Sequence, residues 1–255
     1  MKNRLCVVVG KGNPKDQEIM SMLTSEGWVV RYADISNGFE SQISGLVNDF
    51  KEELFSKVVL IKGFLQSYEF LRFCFPFKED SKRVYHLAFM NKKYRNFALL
   101  DAGVNKDMYQ LSTNEIVDVV KDAITHYKTD VISLITADGE NQSLVSFPKI
   151  AELKEKLEQQ NLKVELCSID VALSKKSAEV KGIEFLPGNK LIVCLNLDQA
   201  DMLFKALLTQ GWVARGFVEG LQIPAILHSR MQNTKSIIYA LKQLEQEEEK
   251  NVSNN

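Results

Sequence analysis

The stretch Leu191-Ile-Val-Cys-Leu-Asn-Leu-Asp-Gln-Ala-Asp-Met-Leu-Phe-Lys-Ala-Leu-Leu208 changes its period in the middle. Leu191 to Leu195 are five consecutive apolar residues, the pattern of a strand covered on both faces. Ala200, Leu203, Phe204, Leu207 and Leu208 then recur at helical spacing and form one apolar stripe. A buried strand feeding an amphipathic helix is half of a βαβ unit, and such units build a parallel sheet covered by helices.

The same rhythm extends in both directions. Towards the C-terminus, strands are expected around Val213 to Phe217 and Pro224 to His228, then a helix carrying Ile237, Ile238, Leu241 and Leu244. Glu245 to Asn255 has almost no apolar residues and reads as a frayed tail. Towards the N-terminus, Val131 to Thr136 and Leu162 to Ile169 read as strands flanking a helix of Ile150, Leu153 and Leu157. Ser112 and Glu115 form a capping box ahead of a helix through Ile116, Val119, Val120, Ala123 and Ile124. Arg83 to Met90 and Asn96 to Ala102, joined by a polar stretch, suggest adjacent antiparallel strands. Strands are also expected at Leu5 to Gly10, Trp28 to Ala33 and Lys57 to Ile61. Helices are expected after Asn13-Pro14, over Ile43 to Leu54 and around Ser67 to Phe73.

Bulk properties narrow the function. A net charge of −1 supplies no basic field to gather nucleic acid or an anionic membrane. No run approaches the roughly 20 apolar residues of a membrane span, and the N-terminal apolar run is too short for a signal peptide. Cytoplasmic localisation is expected. Cys6, Cys74, Cys167 and Cys194 form no CxxC and lie at no metal-ligand spacing from a histidine, so buried reduced thiols are expected and no metal site.

Two turns invite a functional reading. Gly10-Lys-Gly-Asn-Pro-Lys15 follows a strand and opens a helix, but Lys15 stands where a dinucleotide fingerprint needs its third glycine. No Gly-Lys-Ser/Thr follows at P-loop distance either, so it reads as a plain strand-to-helix turn. Pro224-Ala-Ile-Leu-His-Ser-Arg230 instead delivers Ser229 and Arg230 to the carboxyl end of a strand, where open α/β sheets bind ligands. An arginine there can hold a phosphate bidentately beside a serine hydroxyl. The bland alternative is a serine N-cap beside a surface arginine.

Several segments, in order, resemble the phosphate acetyl/butyryltransferase family. Lys62-Gly63 and Leu71-Arg72 are similar to its Lys-Gly turn and the helix arginine after it, and Asp101-Ala-Gly-Val-Asn105 to its Asp-Ala-Ala-Val-Asn. Cys167-Ser-Ile-Asp-Val-Ala-Leu-Ser174 is similar to Leu-Ala-Leu-Asp-Asn-Ala-Val-Ser. Leu191 to Ala206, with Lys205, resembles its strand-helix segment. Gly216, Gly220 and Pro224 to Arg230 resemble the run that ends in its Ser-Arg motif. The chain looks closer to the phosphate butyryltransferase type.

The resemblance implies an isocitrate/isopropylmalate dehydrogenase-like fold of two α/β domains, with mainly parallel sheets covered by helices and an active cleft between the domains. The first domain is expected at 1–84 plus 217–255 and the second at 85–216. It implies exchange of a short or branched acyl group between coenzyme A and phosphate by direct attack of the thiolate on an acyl phosphate. Coenzyme A is then a substrate, with no permanently bound cofactor, and the partners are small molecules in a homodimer without nucleic acid or membrane. Ser229, Arg230 and Arg72 are implied as catalytic, and Lys62, Gly63 and Lys205 as substrate-binding. The chain departs from the family pattern at four places. Val164-Glu165-Leu166 replaces Asp-Gly-Pro, Ala200-Asp201 replaces Gly-Asn, and Leu195 replaces a proline. Met231 to Ser236 lacks the acetyltransferase aspartate that follows Ser-Arg. These departures keep open a catalytically inactive relative that binds coenzyme A, an acyl phosphate or a protein. A nicotinamide-dependent dehydrogenase lacks both the fingerprint and a metal-binding aspartate set.

Overall fold

The computed structural model describes residues 5–10, 12–34, 45, 48, 57–62, 84–93, 95–101, 108–137, 143, 147–223 and 225–253. In chain order the first elements are β1 (Leu5–Gly10), α1 (Pro14–Ser25), β2 (Val29–Asp34), β3 (Lys57–Lys62), β4 (Tyr85–Lys92) and β5 (Arg95–Leu100). After a single 3-10 turn at Met108–Gln110 come α2 (Thr113–His126), β6 (Val131–Ile135), α3 (Phe147–Glu158) and β7 (Val164–Cys167). They are followed by α4 (Ile169–Leu173), α5 (Lys175–Val180), β8 (Lys190–Val193) and α6 (Leu197–Thr209), then β9 (Val213–Glu219), β10 (Ala225–Ser229) and α7 (Lys235–Ser253). The chain is thus mixed α/β, with mainly parallel strands and helices in the crossovers.

Packing divides the chain into two compact units, Met1–His86 with Val213–Asn255, and Leu87–Trp212. On the return the boundary between the units falls at 212/213, so β9 stays whole. In the first unit the strands run β2-β1-β3-β10-β9, all parallel except β9, which is antiparallel to β10. Cys6 to Val9 are fully buried, as are Ile19 and Leu23 of α1 and Ile237 and Leu241 of α7. In the second unit the order is β4-β5-β8-β6-β7, with β4 antiparallel to β5 and the rest parallel. Its core includes Leu87, Met90, Leu99, Leu100, Ile116, Val120, Leu153, Leu191, Ile192 and Phe204.

Local chemistry explains where the helices begin. The Asn13 side chain accepts the backbone N–H groups of Lys15 and Asp16, Pro14 occupies the first turn, and Asp16 reaches back to the Asn13 N–H. Ser112 and Glu115 form the expected reciprocal box at α2. Asn196 caps α6 through the N–H groups of Asp198 and Gln199. The antiparallel pair expected before residue 102 is present as β4 and β5, paired from Leu87↔Leu100 to Lys92↔Arg95.

Four expectations change or go unanswered. The strand expected to reach Ile169 ends at Cys167, and residues 169–180 form α4 and α5, each too short to display a helical period in sequence. The tail expected to fray is helical to Ser253, because Glu245 to Lys250 are strong helix formers that need no buried stripe. The helix expected around Ser67 to Phe73 lies outside the described residues, and of 43–54 only Gly45 and Asn48 are described, both helical. Cys6, Cys167 and Cys194 are buried free thiols, and Cys74 lies outside the described residues. Among the described residues no helix is long and apolar enough to cross a membrane, and no group of three potential metal ligands occurs.

Gly216 of β9 is fixed by close approach. A β-carbon there would stand 2.3 Å from His86 Nε2 and 2.7 Å from the Leu227 carbonyl oxygen. The second neighbour is backbone within the same sheet and cannot step aside. Gly216→Ala is expected to lower unfolding free energy by about 1–3 kcal/mol in urea titration, with little change in the slope of the transition.

Candidate active-site edge of the first unit

The register of the first sheet sets the site. β3 and β10 pair in parallel with Ser229 opposite Lys62, so these two residues end adjacent strands at the same carboxyl edge. β1 ends beside them at Gly10, and the N-terminus of α1 opens three residues later. Arg230 follows Ser229 in an exposed turn. The structure therefore brings Ser229, Arg230 and the backbone of Lys62 together. Gly63 and Arg72 lie outside the described residues. Lys205 belongs to the second unit, on the exposed side of α6, where its ammonium pairs with Asp201 at 2.5 Å.

The turn after β10 is held by groups that carry no motif. Gln232 is buried and bonded at both ends of its amide. Its Oε1 accepts the Ser229 N–H at 2.6 Å, and its Nε2 donates to the Ala214 carbonyl of β9 at 2.7 Å. The Ser229 hydroxyl accepts the Met231 N–H at 3.4 Å, and the Thr234 hydroxyl donates to the Glu18 carboxylate on α1. That bond holds the Glu18 carboxyl below the usual carboxylate range, with Lys15, 3.4 Å away, adding to the effect. The segment 229–234 is thus pinned to β9 and α1 before any ligand arrives, which is the preorganisation that a positioned serine and arginine require.

His228 is buried directly before Ser229, with Ser236 Oγ 3.5 Å from its Nδ1. Burial, reinforced by the positive charge of Lys15 and opposed by Glu18, pushes its pKa down to about 4. The ring is therefore neutral near pH 7. Lys15, at the first turn of α1, is a cation of this edge that the sequence marked only as the residue breaking a fingerprint.

The glycine turn at the start of α1 is already filled. The Asp16 carboxylate is buried, accepts the Tyr32 hydroxyl at 2.8 Å and the Asn13 N–H at 3.2 Å, and occupies the space over Gly10. A β-carbon on Gly10 would come within 2.3 Å of Asp16 Oδ2. The Tyr32 hydroxyl in turn accepts the Gly12 N–H at 2.5 Å, and burial raises its pKa. A phosphate approaching this helix N-terminus would meet a carboxylate, which removes the usual reason for anion binding there.

In the second unit, several polar and ionisable residues are engaged in structural contacts. Glu165, in place of the expected Asp-Gly-Pro, is buried in a network in which Ser133 Oγ donates to it at 2.5 Å and Lys190 Nζ at 2.7 Å. Asp170 is paired with Lys181 at 2.8 Å, which holds its carboxyl low. Cys167 and Cys194 are pushed up to about 12 by burial, which makes them poor nucleophiles. Asp101 directly follows β5, buried and in the left-handed region, at φ 61°, a strained conformation for a residue with a side chain.

Comparison with solved structures places the fold. The chain is similar to a branched-chain phosphotransacylase from Enterococcus faecalis at a TM-score of 0.68 and 17% identity, covering 93% of this chain and 97% of that one. It is similar to a phosphotransacetylase from Streptococcus pyogenes at 0.63 and 13% identity, covering 94% and 93%. An isocitrate dehydrogenase from Methylococcus capsulatus matches at 0.52 and 8% identity, over 92% and 79%. The fold is that of phosphotransacylases, within the wider isocitrate dehydrogenase-like architecture. No protein-family model matches the sequence, and no curated protein sequence does.

Two outcomes check this edge. The His228 ring has its folded pKa below its unfolded value, so its contribution to stability is present above about pH 6.5 and is lost as pH falls towards 4. Wild type is expected to lose up to about 3 kcal/mol more than His228→Gln across that window in denaturant titrations. Gln232→Ala strands the buried Ser229 N–H and Ala214 C=O, and is expected to cost about 2–4 kcal/mol, read as a lowered urea midpoint.

Proposed function

We propose that the protein is a phosphate acyltransferase that exchanges a short or branched acyl group between coenzyme A and inorganic phosphate. The observation that carries this reading is the placement of Ser229-Arg230 beside Lys62 at adjacent strand ends, in a chain that shares the phosphotransacylase fold along nearly its whole length. In the direction of acyl-CoA formation, the coenzyme A thiolate attacks the carbonyl carbon of an acyl phosphate. A C–S bond forms, the tetrahedral oxyanion collapses, the C–O bond to phosphate breaks and inorganic phosphate leaves. Arg230 neutralises the phosphate, with Arg72 as a second clamp, and the Ser229 hydroxyl donates to the developing negative charge. Lys62 and Gly63 belong to the same anionic pocket. With no carboxylate between Met231 and Ser236, the thiol proton passes to solvent or to the phosphate, and nearby cations favour the thiolate.

A second reading is favoured by specific pairs. Lys205 is neutralised by Asp201, and Glu165 is committed to Lys190 and Ser133, so two places that matter in the family pattern are given over to structure. This supports a relative that binds coenzyme A or an acyl phosphate without turnover.

One assay separates the two. Purified protein is given acetyl-, propionyl-, butyryl- or isobutyryl-CoA with phosphate, and free thiol is measured. Phosphate-dependent release is expected, fastest with one of the four-carbon substrates, and Arg230→Ala, an exposed substitution, is expected to lower kcat/KM by about a hundredfold or more. No release with any acyl-CoA from folded protein would sink the enzyme and leave the binding reading.

A further inference from the structure

The second unit contains a cavity that the acyl-transfer reading does not use. It has a volume of about 410 Å³, inside the range of roughly 300–1,000 Å³ typical of small-molecule sites. It opens at the amino ends of β5 and β8, between Arg95, Asn96 and Phe97 on one side and the α4–α5 crossover on the other. Four cationic residues, Arg95, Lys175, Lys176 and Lys190, line it, and no carboxylate does among the described residues. Lys175 has a loose partner in Glu179 at 3.7 Å, both largely exposed. Lys190, beneath them, is neutralised by Glu165, so it contributes position and not free charge.

The remaining wall is aromatic. Phe97 and Trp212 meet edge to face, with ring centroids 5.1 Å apart, and Lys190 Nζ sits 4.4 Å from the centroid of the Phe185 ring. Those contacts lock the rings before a ligand enters. The rim is fixed as well. Asn189 is tied to Asp130 by its N–H to Oδ2 at 2.7 Å and by its carbonyl to the Asp130 N–H at 2.8 Å. The Lys92 ammonium donates to the Gln210 carbonyl at the end of α6, two residues before Trp212.

Cations without a carboxylate select an anion, and planar rings select a planar partner; one small ligand class carries both. We propose that this cavity is a binding site for a nucleoside phosphate, its phosphate held by Arg95 and Lys176 and its base against the Phe185–Trp212 wall. A guanidinium suits phosphate oxygens bidentately, and stacking on aromatic rings tolerates any base. The site is separate from the Ser229-Arg230 edge, which lies in the other unit, and does not depend on the acyltransferase reading.

Calorimetric titration of the full chain with adenosine monophosphate tests it, with inorganic phosphate and adenosine as parallel arms. One nucleotide is expected per chain, bound at least about tenfold more tightly than either fragment. Arg95→Ala and Lys176→Ala, both exposed and harmless to folding, are each expected to weaken binding about tenfold. Lys121→Ala, an exposed cation of α2 outside the cavity, is expected to change nothing. Absence of binding at millimolar nucleotide would overturn the proposal. Unchanged binding in an Arg95→Ala/Lys176→Ala double variant would place the nucleotide elsewhere and overturn it too. Phosphate binding as tightly as the nucleotide would show an anion site in which the rings play no part, and would equally end it.

Discussion

The parallel pairing of β10 with β3 is the constraint on which the first unit depends. It joins residues 225–229 to residues 58–62 across most of the length of the chain, and seats the last strand between β3 and β9. Closing so long a loop carries an entropic cost that grows only slowly with length, and burial of the apolar strand and of α7 against it offsets that cost. A slip of one residue in register would turn each of His228 and Ser229 to the other face of the sheet. Everything proposed about Ser229 and Arg230 follows from that register.

Several buried polar groups are matched one to another. Gln232 satisfies a donor and an acceptor with a single amide, and Asp16 satisfies the first turn of its own helix and a tyrosine. Glu165, Ser133 and Lys190 form a closed set across three strands of the second unit. An unmatched buried carboxylate or ammonium would cost several kcal/mol, so such sets come and go as wholes.

The two cationic regions differ in kind. The Ser229-Arg230 edge is a turn clamped from below by Gln232 and Thr234, suited to holding one charged group at one place. The cavity beside Arg95 is wider and walled by rings, suited to a ligand with two chemically different ends. The helix N-terminus nearest the first edge is closed by Asp16.

The sequence alone determined the alternation of strands and helices, since apolar runs and helical stripes follow from burial of one face or both. The caps at Asn13 and Ser112 were legible for the same local reason, and Ser229-Arg230 stood out by its place after a strand. Short helices α4 and α5 were not legible, because one turn shows no period. The bond from Gln232 to Ala214 and the Glu165–Lys190 pair were invisible, because each joins residues distant in sequence. That Ser229 stands beside Lys62, while Lys205 is spent on Asp201, was decided only by the tertiary structure. Strand register and ion pairing are set by packing between remote segments, and no local pattern encodes them.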